Sequence, residues 1–225
     1  SDDVWIGSNG IITWDVMVKG RSAHSGSSFL GVNAVERSIL VMERLMDLKK
    51  VVQARRSRLP ASSPVKSVGI ENLMPILNIT MVNGGVKENI VPDRCVLRGD
   101  RRVIPEERME EAMEEIERAL EPLRSEGIDF ELKFYPGYPP MSVDPEHAWV
   151  NEVREAVERR MGFMPQLSAA QGSLDQAYAT EKTGIPTCVF GVGRQLESNI
   201  HGLNENVRTS DLTGFARFII ELLQA

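Results

Sequence analysis

Three histidines, His24, His147 and His201, and two cysteines, Cys95 and Cys188, are the chain's whole stock of imidazole and thiol groups. A protein metal site normally draws about three or four ligands from the chain. His201, in "NIHGLNENV", is therefore either a solvated loop residue or one corner of a site whose other corners lie elsewhere. It follows "FGVGRQLESN", a glycine-containing loop leaving a strand-like run, and ligands of open α/β sheets gather at such strand ends. His24 sits in "GRSAHSGSS", where small polar neighbours leave the imidazole accessible. Neutral, it can donate one hydrogen bond, and protonated, two. A flexible loop histidine is the plain alternative. His147, in "PEHAWV" at a helix start, reads as structural or solvated.

Charged residues supply the other candidates. "NIVPDRCVLRGDRR" puts Asn89 at a strand's entry and Arg102 at its exit. Alternation places Arg94, Arg98, Asp100 and Arg102 on one face and Cys95, Leu97 and Val103 on the other, apolar one. Such a row is either a surface charge ladder or a way to present a guanidinium to a carboxylate. "AQGSLDQA" offers Ser173 and Asp175 in a turn before a helix, with helix capping as the simpler role.

The elements that position these groups follow from periodicity. "GIITWDVMVKG" (10–20), residues 74–85, 91–103 and "DFELKFYP" (129–136) read as strands. Residues 31–48 read as a helix with Val32, Val35, Ile39, Met42 and Met46 on its apolar stripe. Residues 105–127 read as a second helix, Pro105 at its start and Met109, Met113, Ile116, Leu120 and Leu123 inward. The basic, Pro- and Ser-rich run at 49–67 reads as a helix tail and solvated loop. From residue 10 to 136 the order is β-α-β-β-α-β, the ferredoxin-like split pattern with an antiparallel sheet. Beyond the Pro-rich hinge at 136–145 come a helix (146–161), a strand near "PQLSAA", a helix (174–183), an apolar strand "PTCVFGV" and a helix (210–224) capped by Ser or Asp. Two strands are few for an independent sheet, so this second, α/β unit reads as incomplete.

Composition excludes several classes. Of the 225 residues 42% are hydrophobic and 26% charged, as in globular proteins. A net charge of −6 gives no support to a nucleic-acid partner, and no apolar run approaches the length of a bilayer-spanning helix. The start of the chain does not read as a signal peptide, and two distant cysteines carry no disulfide framework, so a cytoplasmic setting is the default.

Three stretches, in order, resemble one family. "VKGRSAHSGSSFLGVNAV" looks like a lid-domain signature, a strand ending in G-x-x-A-H-S and a helix opening with G-x-N-A. "GGVKENIVPDRCVLRGDRR" is similar to a G-G…N-x-x-P…D-x-R stretch, and "GIPTCVFGVG…IHGLNENV" to a terminal G-I-P…F-G-x-G…H-x-x-N-E-x-V. The family is that of the co-catalytic zinc amidohydrolases: acetylornithine deacetylase, succinyl-diaminopimelate desuccinylase, aminoacylase and glutamate carboxypeptidase. In "GDRRV", Arg101 stands where that family usually has an apolar residue, and "QGSLDQAY" keeps Gly172 and Asp175 of a longer motif.

The resemblance implies an α+β ferredoxin-like lid and dimerisation domain over 8–141, joined to a partial α/β zinc-hydrolase catalytic domain made of 1–7 and 142–225. His201 would be a metal ligand, with Glu205 and Asp175 supporting the site. His24 would donate a hydrogen bond to the oxyanion in a partner subunit's active site. Asn89 and Arg102 would hold the carbonyl or carboxylate oxygens of a small N-acyl amino acid or peptide. The N-terminal stretch in which that family carries an H-x-D segment, a bridging Asp and the Glu-Glu pair of its general base has no counterpart in this sequence. The intact parent would use two zinc ions, or cobalt or manganese, while this stretch alone would bind none. The alternative is a non-catalytic dimerisation module derived from the family.

Overall fold

The computed structural model describes residues 2–194, 197–200 and 202–224. In chain order these form β1 (Asp3–Ser8), β2 (Gly10–Lys19), α1 (Ala34–Gln53), α2 (Ser63–Lys66), β3 (Ile76–Gly84), β4 (Arg94–Val103), α3 (Met109–Leu120), α4 (Pro122–Ser125) and β5 (Phe130–Pro136). There follow β6 (Met141–Ser142), α5 (Ala148–Met161), β7 (Gln166–Ala170), α6 (Asp175–Thr183) and α7 (Thr209–Leu222). The chain divides into two compact units, one of residues 1–9, 57–73 and 140–225 and one of residues 10–56 and 74–139.

The second unit is an antiparallel sheet of order β3-β4-β2-β5. Strict alternation in β2 buries Ile12, Trp14, Val16 and Val18 and turns Thr13, Asp15, Met17 and Lys19 outward. The inward row packs under α1 and α3 with Leu97, Ile116, Leu120 and Phe130. Trp14 lies against the backbone of Gly99, where a Cβ would fall 2.3 Å from the ring. Asn33 starts α1, its Oδ1 accepting from the N–H groups of Val35 and Glu36 at 3.0 and 3.2 Å, which satisfies donors the first turn cannot.

The face that α1 buries overlaps the expected one only in Val35 and Met42, which pack against the core partly buried. Ala34, Ser38, Val41, Leu45 and Val52 are inward, whereas Ile39 and Met46 are 49% and 46% exposed. The helix carries apolar residues around most of its circumference, so period alone could not choose the stripe. The second helix starts at Met109 rather than at Pro105, which lies in the preceding loop. Its stripe shifts slightly, with Ala112, Ile116 and Leu120 buried and Met109 and Met113 partly so.

In the first unit β1 runs parallel to β7 and antiparallel to β6. Asp3, only 3% exposed, accepts from Ser168 Oγ at 2.8 Å and from the N–H of Ser63 at 3.1 Å. The later part of the 49–67 run, expected as a solvated loop, is thereby within the segment 57–73 of this unit: Ala169 N–H donates to the Pro60 carbonyl at 2.8 Å. "PTCVFGV" forms no ladder and contributes a single bridge, Val189 to Trp5. Val4, Ile6, Val150, Val153, Val157 and Phe218 make the core between strands and helices. His147 caps α5 by accepting from the Trp149 N–H at 3.1 Å, a structural role. α7 starts at Thr209 without a side-chain cap. Among the described residues no helix is long and apolar enough to cross a membrane.

Candidate functional site

Two loops at one end of the second unit's sheet carry His24 and Asn89. β2 leaves the sheet at Lys19, opposite Arg94 where β4 enters. The loops that follow β2 and precede β4 are tied by backbone bonds: Gly20 N–H to the Asp93 carbonyl at 2.7 Å, Ser25 N–H to Asn89 at 3.0 Å and Val91 N–H to Ala23 at 2.9 Å. His24 itself bridges to Ile90. The structure therefore brings His24 and Asn89 together on one stiffened platform.

The imidazole is exposed, and its Nδ1 accepts from the Gly26 N–H at 3.0 Å. With Nδ1 occupied as an acceptor, a neutral ring carries its proton on Nε2, so Nε2–H is the available donor. The buried carboxamide oxygen of Asn89 makes no hydrogen bond among the described residues. Beside this platform Ser22, Gly85, Val86, Ile90, Pro92 and Arg94 border a cavity of about 390 Å³.

Arg102 stands elsewhere. It closes β4 opposite Ile11 and Ile76, at the end of the sheet away from His24. Eight strand steps separate it from Arg94, about 27 Å at roughly 3.4 Å per residue. Its Nε donates to Asp100 Oδ2 at 2.9 Å, which aligns the side chain along the outward face.

The remaining candidates lie in the first unit. Glu205 borders a cavity of about 380 Å³ with Val192, Gly193, Ser198, Ile200 and Asn206. His201 lies outside the described residues. The loop around it is braced by Arg194 and Ser198. Arg194 N–H donates to Ser198 Oγ at 2.8 Å, Asn206 N–H to the Ser198 carbonyl at 3.0 Å, and Arg194 Nε to Asp211 Oδ2 at 3.1 Å. Asp211, expected as a helix cap, serves instead as this anchor. Asp175 is exposed in the first turn of α6, one residue past the N-cap, where its charge suits the helix dipole. Among the described residues no three His, Cys, Asp or Glu side chains are grouped to hold a metal ion.

Sequence reasoning did not foresee the pairing partners of Arg101. This residue is fully buried and contacts Glu107 and Glu115. Only its odd position on β4's apolar face hinted that it needed them.

Residues 6–127 match the peptidase dimerisation domain family. A succinyl-diaminopimelate desuccinylase of Wolinella succinogenes is 28% identical over 225 residues, which cover 99% of this chain and 55% of that protein. A tripeptidase from Staphylococcus aureus superposes with a TM-score of 0.76 at 21% identity, covering 99% of this chain and 53% of that one. A Sulfolobus solfataricus M20 family metallo-carboxypeptidase superposes with a TM-score of 0.76 at 17% identity, covering 99% and 59%. These two likenesses concern the fold. The chain spans about half the length of the curated relatives it matches.

Proposed function

The chain belongs to the M20 peptidase dimerisation domain family, and from that premise we propose that it is the lid and the C-terminal part of the catalytic domain of a dimeric, metal-dependent amidohydrolase. The bond cleaved is the amide of an N-acyl amino acid or small peptide. Relatives named as a desuccinylase and an N-acetylcysteine deacetylase support that substrate class. The lid is a ferredoxin-like domain centred on the β3-β4-β2-β5 sheet. His201 is one ligand of a two-zinc centre, and Glu205 and Asp175 support it. The other ligands and the general base come from a part of the protein outside this chain.

The observation that carries the reading is the separation of the His24–Asn89 platform from Arg102 at opposite ends of one sheet. No single small substrate reaches both ends of one lid. Two copies related by a two-fold axis remove the difficulty: Arg102 serves the site of its own chain, and His24 and Asn89 serve the partner's. His24 Nε2–H donates to the amide carbonyl oxygen as it gains charge, where a fixed donor is worth most. Asn89 holds the same group, and Arg102 grips the substrate carboxylate. A purely structural dimerisation module has no use for an exposed imidazole held in one tautomer.

Variants of the full-length enzyme test this. His24→Ala and Arg102→Ala should each lower kcat/KM by about 100-fold or more. Mixed and allowed to exchange subunits, the two inactive variants should regain about a quarter of wild-type activity, since half the dimers then own one intact site. No regain would overturn the cross-subunit assignment. Full activity in both single variants would overturn the functional reading.

A further inference from the structure

We propose that Arg101 is a positioning residue for Arg102, and that Arg55, Glu107 and Glu115 form the buttress that holds it in place. The proposal rests on the reading of Arg102 as the group that grips the substrate carboxylate.

Arg101 points to the core side of β4, with Cys95, Leu97 and Val103, and has no exposed surface. One guanidinium nitrogen, Nη1, donates to the carbonyl oxygen of Arg102. The other, Nη2, donates to Glu107 Oε1 at 2.9 Å and lies 3.5 Å from Glu115 Oε2. Arg55, just past the end of α1, grips the same two carboxylates, Nη1 to Glu107 at 2.7 Å and Nη2 to Glu115 at 2.6 Å. Glu107 Oε2 also accepts from the Ile104 N–H at 3.3 Å. Two guanidiniums thus alternate with two carboxylates, joining α1, the end of β4, the loop after it and α3.

Core packing does not account for this arrangement. An apolar side chain of similar volume fills a buried position at least as well as an ion cluster that must first be desolvated. What leucine or methionine cannot do at position 101 is donate to the Arg102 carbonyl. That bond fixes the Arg102 peptide, and Asp100 on the outer face fixes the Arg102 side chain through Nε at 2.9 Å. Arg102 is therefore held through its backbone from the core face of the strand and through its side chain on the outer face. A grip on a carboxylate needs such restraint, because a misplacement of about 1 Å in a positioning group costs up to about 100-fold in rate.

The test compares N-acyl amino acids with the matching N-acyl amino acid amides, which lack the carboxylate, as substrates of the full-length enzyme. Arg101→Leu should raise KM for the acids about 10-fold or more with kcat nearly unchanged, and leave kinetics on the amides as in wild type. Arg101→Lys, which keeps the charge but not the fork, should not restore the acid KM. Where Arg101→Leu does not fold, Arg101→Met combined with Glu115→Gln removes one charge of each sign and carries the same comparison. An unchanged acid KM, or equal losses on acids and amides, would overturn the positioning role while leaving Arg102's own role standing. A wild-type enzyme indifferent to the carboxylate would overturn both.

Discussion

Lys49 Nζ donates to Asn78 Oδ1 at 3.0 Å, a bond that lays the C-terminal half of α1 along the edge strand β3. Near the other end of the helix Val35 lies against Gly84, where a Cβ would meet it at 2.8 Å. Between these two points the helix presents Ile39 and Met46 outward, and the strand presents Met81 and Val82, 48% and 52% exposed. An open strand edge beside an apolar helix face is a surface that pairs readily with a second copy of itself.

This surface makes the first prediction. The double variant Ile39→Glu, Met81→Glu should sediment as a monomer at micromolar concentration while keeping the circular dichroism of the parent. A parent that is itself monomeric would overturn the dimer, and a variant that still dimerises would move the interface elsewhere.

Acid should loosen the anchor of the loop before α7. Asp211 is 8% exposed, and the Arg194 guanidinium bonded to it holds its carboxyl below the ordinary range. A carboxyl whose pKa is depressed by folding stabilises the fold above its unfolded value, about 3.9, and that contribution fades as pH falls through the folded value. Melting curves should therefore show Asp211→Asn less stable than the parent at neutral pH. The gap should narrow as pH drops below about 4.

Gly99→Ala probes the core under the sheet. Its new Cβ would sit 1.9 Å from the Asn78 carbonyl oxygen and 2.3 Å from Trp14, so the strand or the indole must move. Denaturant unfolding should report a loss of at least about 2 kcal/mol, at the costly end of overpacking. A change within error would mean that β3 and β4 separate freely at this point.

Metal content offers the fourth test. Purified with its full catalytic domain and dialysed against zinc, the enzyme should hold two ions per subunit, and His201→Ala should hold fewer. Equal zinc in both proteins would remove His201 from the ligand set.

Much of this molecule is legible in its sequence. The alternation of Ile12, Trp14, Val16 and Val18 against Thr13, Asp15 and Lys19 marks β2 because one face is buried and one is wet. His24 and Asn89 were readable as candidates, since small polar neighbours and strand-end positions are local features. Their juxtaposition was not, because it depends on loop-to-loop bonds such as Ser25 to Asn89. The partners of Arg101 were hidden for the same reason: Glu107 and Glu115 reach it from the loop after β4 and from α3, and Arg55, just past α1, grips the same two carboxylates. The loop part of 49–67 reads as solvated because its partners, Asp3 and Ala169, lie about 60 and 110 positions away in the chain.

The link from Asp3 to Ser168, spanning 165 positions, also has a kinetic meaning. A contact so distant in sequence is slow to form by chance, because the loop must close before the bond repays its entropy. The intervening sheet of residues 10–56 and 74–139 supplies the shortcut: once folded, it holds Ile11 beside Tyr138 and so shortens the effective loop between β1 and β7. During synthesis the middle of the chain thus acts as a template, and β1, with only the two-residue β6 beside it, waits for its long partner until β7 has left the ribosome. Slowing translation just before Gln166 should lengthen that wait and leave Val4 and Ile6, both buried in the finished protein, exposed to chaperones and proteases for as long as the pause lasts.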